Sequence, residues 1–138
     1  MKTSSKIEFS FNRINRTESL DQFAALLFPN NRNHQRQFLA VFIELKYADR
    51  QFLKSLEPVA DKYGLSRRVL EIVRAKMRSL GIIDHVSRFS SKQGYQEGWV
   101  FSNRFAKSSL LLSKLPELFL EIRDRKQEQR DRDLFRYL

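Results

Sequence analysis

The chain has 138 residues, no cysteine and a formal net charge of +10. That is the length of one domain with a helix or two to spare, and 41% hydrophobic residues, with twelve phenylalanines, supply a core and exclude a globally disordered chain. The missing cysteines exclude disulfide scaffolds and thiolate zinc sites, while the basic excess points to an anionic partner: DNA, RNA or an anionic membrane surface.

In chain order, Ile7, Phe9 and Phe11 alternate with polar residues and predict a short strand. Leu20, Phe23, Leu26 and Leu27 recur at helical spacing after Thr17 and Ser19, either of which suits an N-cap. Pro29 and the polar run NNRN end that helix. HQRQFLAVFIELKYAD is a helix with an apolar stripe of Phe38, Val41, Phe42 and Leu45, widened by Leu39 and Ile43. Residues 49–55 read as a linker or a short turn. LEPVADKYG is a compact helix, with Pro58 in its first turn and Gly64 at its C-terminal cap.

Ser66 caps the next helix, which runs to about Leu80 and stops at Gly81. Then the pattern changes. IIDHVSRF and GWVFSNRF are rich in β-branched and aromatic residues, and SSKQGYQE lies between them, which predicts a hairpin with a long loop. Trp99, Phe101 and Phe105 are expected to cover the core beneath the hairpin, whereas Tyr95 falls at its tip. Beyond it, Leu110, Leu111, Leu112 and Leu115 lead to Pro116, which is read as the start of a new helix carrying Leu118, Phe119 and Ile122. RDRKQEQRDRD is read as a solvated helix or a frayed tail.

The helix from Arg67 breaks a local rule: a helix start repels positive charge, yet Ser66 is followed by Arg67 and Arg68. At about 100° per residue, Val69, Val73 and Leu80 share an inward face with Ile72 and Met77 at its edges. Arg67, Glu71, Arg74 and Arg78 fall opposite, with Arg68 on the flank, and Lys76 lands near the apolar face. Residues 64–107 hold nine basic and three acidic side chains, net +6, so more than half of the charge sits on under a third of the chain.

The order of helix, short helix, turn, helix and hairpin, and above all LSRRVLEIVRAKMRSLGIIDHV, resembles the winged helix-turn-helix DNA-binding family over roughly residues 34–105. The resemblance implies a mainly α fold with a small β-hairpin and extra terminal helices. It also implies a recognition helix in the major groove of duplex DNA and a hairpin tip on backbone or minor groove. The corresponding DNA-binding set is Ser66, Arg67, Arg68, Glu71, Arg74 and Arg78, together with Arg88, Lys92, Gln93, Tyr95 and Arg104 assigned to the hairpin. Arginine suits both tasks, since its fork of donors matches a guanine edge or a phosphate.

The domains read as 1–33, an N-terminal strand and helix extension; 34–105, the winged module; and 106–138, a helical extension for dimerisation. Phe23, Leu26, Leu27, Phe28, Leu118, Phe119, Ile122, Leu134, Phe135 and Leu138 are its candidate contacts, and a homodimer would offer two recognition helices to a two-fold site. His34 and His85 are far apart, no phosphate-cradling glycine motif is present, and no carboxylate pair or serine–histidine arrangement stands out. No catalytic residue, metal, cofactor or effector is therefore predicted. No long apolar run suggests a membrane span or secretory signal, so a cytoplasmic, nucleoid-associated protein is expected. The leading expectation is a dimeric transcriptional regulator. The alternatives are a replication or partition initiator of a mobile element and a winged-helix scaffold that meets an acidic protein.

Overall fold

A computed structural model describes residues 6–138. The described residues divide between Phe105 and Ala106 into two compact units. The described part is mainly helical with a small antiparallel sheet, and none of its helices is long and apolar enough to cross a membrane.

In the first unit, α1 (Phe11–Asn15) and α2 (Leu20–Leu27) precede the long α3 (Arg32–Lys46). The strand expected from Ile7, Phe9 and Phe11 does not form. Residues 6–10 are irregular and Phe11 opens α1; Glu8 N–H bonds the Leu26 carbonyl, but a single bond does not make a ladder. Asn31 caps α3 by accepting from the His34 amide at 3.0 Å. A short 3-10 turn, Asp49–Gln51, leads into β1 (Phe52–Leu53), a strand where the sequence suggested only a linker or turn. Then come α4 (Glu57–Tyr63) and α5 (Arg67–Leu80). Gly64 and Gly81 end them in the left-handed region, at φ 63° and 84°, which glycine adopts without a Cβ penalty.

The hairpin comprises β2 (Ile83–Ser90) and β3 (Gly94–Phe101). Its turn is short, because pairing continues to Phe89↔Tyr95 and Ser90↔Gly94. The residues expected in a long loop are largely ladder. β1 pairs antiparallel with the other edge of β3, giving the order β1-β3-β2.

One core unites these elements. Phe38, Val41, Val73 and Ile83 are fully buried, with Leu27, Leu45, Met77 and Trp99 around them. Phe38 meets Phe23, Phe28 and Phe42, and Phe42 meets Phe101, at centroid distances of 4.9–5.9 Å, within the range of favourable ring pairs. The N-terminal apolar residues named above as dimer contacts thus lie in the domain's own core: Leu26, Leu27 and Phe28 are buried and Phe23 packs against them.

α6 runs from Arg104 to Leu120, straight through Pro116. Pro116 does not start a helix; it sits inside one and forgoes the single hydrogen bond that its ring nitrogen cannot donate. In the second unit Leu111, Leu115 and Leu118 stand at i, i+4 and i+7, with Leu112 and Phe119 beside them, and all five are exposed. α7 (Gln127–Asp133) and a 3-10 turn (Leu134–Tyr137) complete the chain, so RDRKQEQRDRD is helical over its second half.

Candidate nucleic-acid interface

α5 owes its position to both of its faces. Leu70, Val73, Lys76 and Met77 are buried. Leu70, absent from the face read in the sequence, belongs to the core, while Val69 is only half-buried. The opposite surface carries Arg67, Arg68, Glu71, Arg78 and Ser79, all exposed, and Arg74, half-buried. Ser66 Oγ accepts from the Val69 amide at 3.4 Å, so the expected cap is present though long.

Of the two arginines at the start of α5, Arg67 is compensated from within the chain. It reaches Asp61 at 3.3 Å and Glu57 at 3.8 Å, both on α4. These exposed pairs are weak and exchangeable. Arg68 and Lys92 are exposed and have no hydrogen-bond or ion-pair partner among the described residues.

Arg74 takes a different role. Its guanidinium lies 5.1 Å from the centroid of the Trp99 ring on β3, so α5 and the hairpin share it. His85 meets the same indole edge-on, at 4.8 Å. Arg74 also lines a groove of about 490 Å³, together with Ala75, Arg78, Ser79, Asp84 and Arg104.

Arg104 is not on the hairpin. It opens α6, and its guanidinium bonds Asp84 through two nitrogens and also the carbonyls of Arg78 and Ile83. The hydrogen bond from Arg104 is the chief reason the Asp84 carboxyl sits below its usual pKa. Arg104 therefore braces the end of α5 against the base of the hairpin, one wall of the groove.

The remaining hairpin candidates divide by strand alternation. Arg88 lies with its guanidinium over Phe52 of β1, 5.7 Å from the ring centroid. By register it belongs to the sheet face opposite the Trp99 row. Gln93 accepts from Arg50, a residue at φ 56° that the sequence did not single out. Tyr95 is exposed, and its hydroxyl lies 3.4 Å from Glu97. Directly across from it stands Phe89, also exposed and unnoticed in the sequence; only the register reveals the pair.

α5, Arg74 on Trp99, and the hairpin thus form one continuous surface. It carries several guanidinium donors, one acid on α5 and a groove at the helix–hairpin junction. Among the described residues no cluster of three His, Asp or Glu side chains is arranged to hold a metal. No family model matches the chain, and no significant match exists among curated proteins or solved structures.

Proposed function

We propose that the chain is a winged helix-turn-helix protein that binds duplex DNA sequence-specifically, acting in the cytoplasm as a dimeric transcriptional regulator on nucleoid DNA. The observation that carries this reading is the outward face of α5, where Arg67, Arg68, Arg74 and Arg78 follow one another on a helix whose other face is locked into the core. The order α3, β1, α4, α5, β2, β3, with β1 completing the sheet as β1-β3-β2, supports the winged form of the motif.

In this mechanism the basic face docks by releasing counterions from the phosphates. The first turns of α5 read base edges in the major groove, which admits one helix. The hairpin follows the backbone beside it. Contact with about six phosphates gives a log-log salt slope of roughly −5.

The test is selection from a random duplex pool at two salt concentrations, with wild type and the Arg67→Ala/Arg74→Ala pair. Enrichment of one sequence by wild type, lost in the pair, supports base reading. Genomic placement of the enriched site then separates a regulator from a replication or partition initiator. Equal binding by both proteins with nothing enriched removes the DNA reading and leaves the basic face to an acidic protein partner.

A further inference from the structure

We propose that the Phe89–Tyr95 pair at the end of the hairpin is an aromatic wedge that enters the minor groove of the bound duplex and bends it. The inference rests on the duplex-DNA reading above and adds a deformation step to it.

The argument begins with register. Ile83↔Phe101, His85↔Trp99, Ser87↔Glu97 and Phe89↔Tyr95 are successive opposite pairs, and alternation puts all four on one face. The row starts in the core, where Ile83 is fully buried, and passes Trp99 beneath Arg74 of α5. It ends at Phe89 and Tyr95, which are 78% and 66% exposed. The wedge therefore lies on the α5 side of the sheet, in position to meet the same ligand.

The opposite row at the tip is polar: Arg88↔Gln96 and Ser90↔Gly94. Both faces of the tip meet solvent, so packing of this domain does not require one of them to be aromatic. A hairpin needing only solubility would carry polar side chains on both.

Charge identifies the occupant. Lys92 is exposed in the turn between the two rings, and Arg50 reaches that turn at Gln93, while Arg88 lies on the other face over Phe52. The nearby acid, Glu97, is within reach of the Tyr95 hydroxyl. A cationic turn beside two exposed aromatic rings matches a polyanion that also offers stacked flat surfaces. The two-stranded ribbon closes through residues 91–93 alone, which keeps the tip narrow. Apolar side chains entering the minor groove part a base step and kink the duplex by about 20–90°. Pyrimidine–purine steps yield most readily, so such a step is expected beside the bases read by α5.

The experiment uses the full chain and the duplex that wild type enriches from a random pool. Bending is read by energy transfer between dyes at the duplex ends. Wild type is compared with Phe89→Thr/Tyr95→Thr, which keeps strand-favouring residues at exposed positions, and with Phe89→Tyr, which keeps the ring; circular dichroism confirms that each is folded. The expected result is a bent duplex with wild type and Phe89→Tyr. The threonine pair is expected to leave the duplex straight and bind it about ten-fold more weakly, the scale of lost aromatic stacking. Equal bending by wild type and the threonine pair overturns the inference while the DNA reading stands, as does a straight duplex under wild type. If the pair instead governs flotation with phosphatidylserine vesicles and leaves bending unchanged, the wedge serves a membrane and the inference is overturned. If wild type enriches no duplex, the DNA reading falls first and takes the wedge with it.

Discussion

The Arg74 guanidinium lies over the Trp99 indole, 5.1 Å from its centroid, and Trp99 is the only tryptophan in the chain. A cation above an indole face is held by the ring quadrupole, with about 0.5–1 kcal/mol at sites open to water. The contact ties Arg74 of α5 to β3 of the hairpin. Arg74 and Trp99 also line one hollow together with Arg67 and Glu71, which gives that surface an intrinsic fluorescent reporter. Duplex DNA that engages Arg74 is expected to change Trp99 emission on titration, with saturation at the same concentration as binding. Arg74→Gln is expected to bind at least about ten-fold more weakly, the scale of one bidentate contact, and to lose the emission change. A Trp99 signal unaltered at saturating DNA would place the ligand elsewhere on the domain.

Arg67 is held by Asp61 and Glu57, and those carboxylates compete with any phosphate for it. They also add negative charge beside the proposed docking face. Asp61→Asn with Glu57→Gln is therefore expected to tighten DNA binding by roughly two- to five-fold, on the scale of exposed ion pairs. The association rate carries much of the gain at low salt. Stopped-flow mixing at two ionic strengths measures it. Unchanged or weaker binding would mean that Arg67 stays on α4 in the complex.

Two glycines with similar backbone angles separate conformational strain from crowding. A Cβ at Gly64 meets nothing within 4 Å, whereas one at Gly81 would sit 2.7 Å from both Arg104 Cβ and the Phe105 nitrogen. Gly64→Ala is expected to cost about 1 kcal/mol from the left-handed angle alone. Gly81→Ala adds a clash with backbone and is expected to cost about 3 kcal/mol or more. Urea denaturation of both variants reads the difference, and equal losses would show that the start of α6 yields freely.

Much of this architecture was legible because its signals are local. Pro58, Gly64, Ser66 and Gly81 bracket α4 and α5 through their own backbone preferences, and the apolar stripe of α3 repeats often enough to leave one reading. What was missed depends on partners distant in the chain. Phe52 and Leu53 are strand only because Val100 and Trp99 pair with them. Ile7, Phe9 and Phe11 had the strand period but no neighbouring strand to pair with. Arg104 resembled a hairpin cation until Asp84 and the Arg78 carbonyl appeared beside it. The Phe89–Tyr95 pair needed the register. The sequence also placed Lys76 near the apolar face without its partner, the Lys6 carbonyl.

Lys76 is 6% exposed, donates to the Lys6 carbonyl at 2.6 Å and lies 4.6 Å from the Phe28 centroid. Burial lowers its pKa from 10.5, because an ammonium loses more than an amine when desolvated. The unfolded chain therefore holds this proton to higher pH than the folded one, so stability rises with pH in the interval just below 10.5. The neighbouring His34 is lowered from 6.5, first by burial and then by Lys76. Its contribution falls away as pH drops below 6.5 toward the folded value. Lys76→Met retains the stem's volume and removes the titration. Relative to wild type, the variant is expected to be more stable at neutral pH and to lose that advantage toward pH 10. Parallel stability curves from pH 7 to pH 10 would mean that the amine titrates alike in both states.

Leu111, Leu115 and Leu118 form an exposed line on α6, with Leu112 and Phe119 widening it. Their spacing is that of a helix–helix seam. A seam between two copies needs about 800 Å² from each partner, and each buried leucine contributes about 1.5–3 kcal/mol. A second copy also matches the proposed function, since two-fold pairing gives two α5 helices for a palindromic site. Leu111→Glu/Leu115→Glu is expected to turn a dimer into a monomer by light scattering. It is also expected to weaken binding to the palindrome while leaving half-site affinity at its wild-type value. The half-site separates loss of pairing from loss of fold, because a misfolded variant would lose both. A variant that remains dimeric would assign the seam to another surface and leave the leucine line to a different partner.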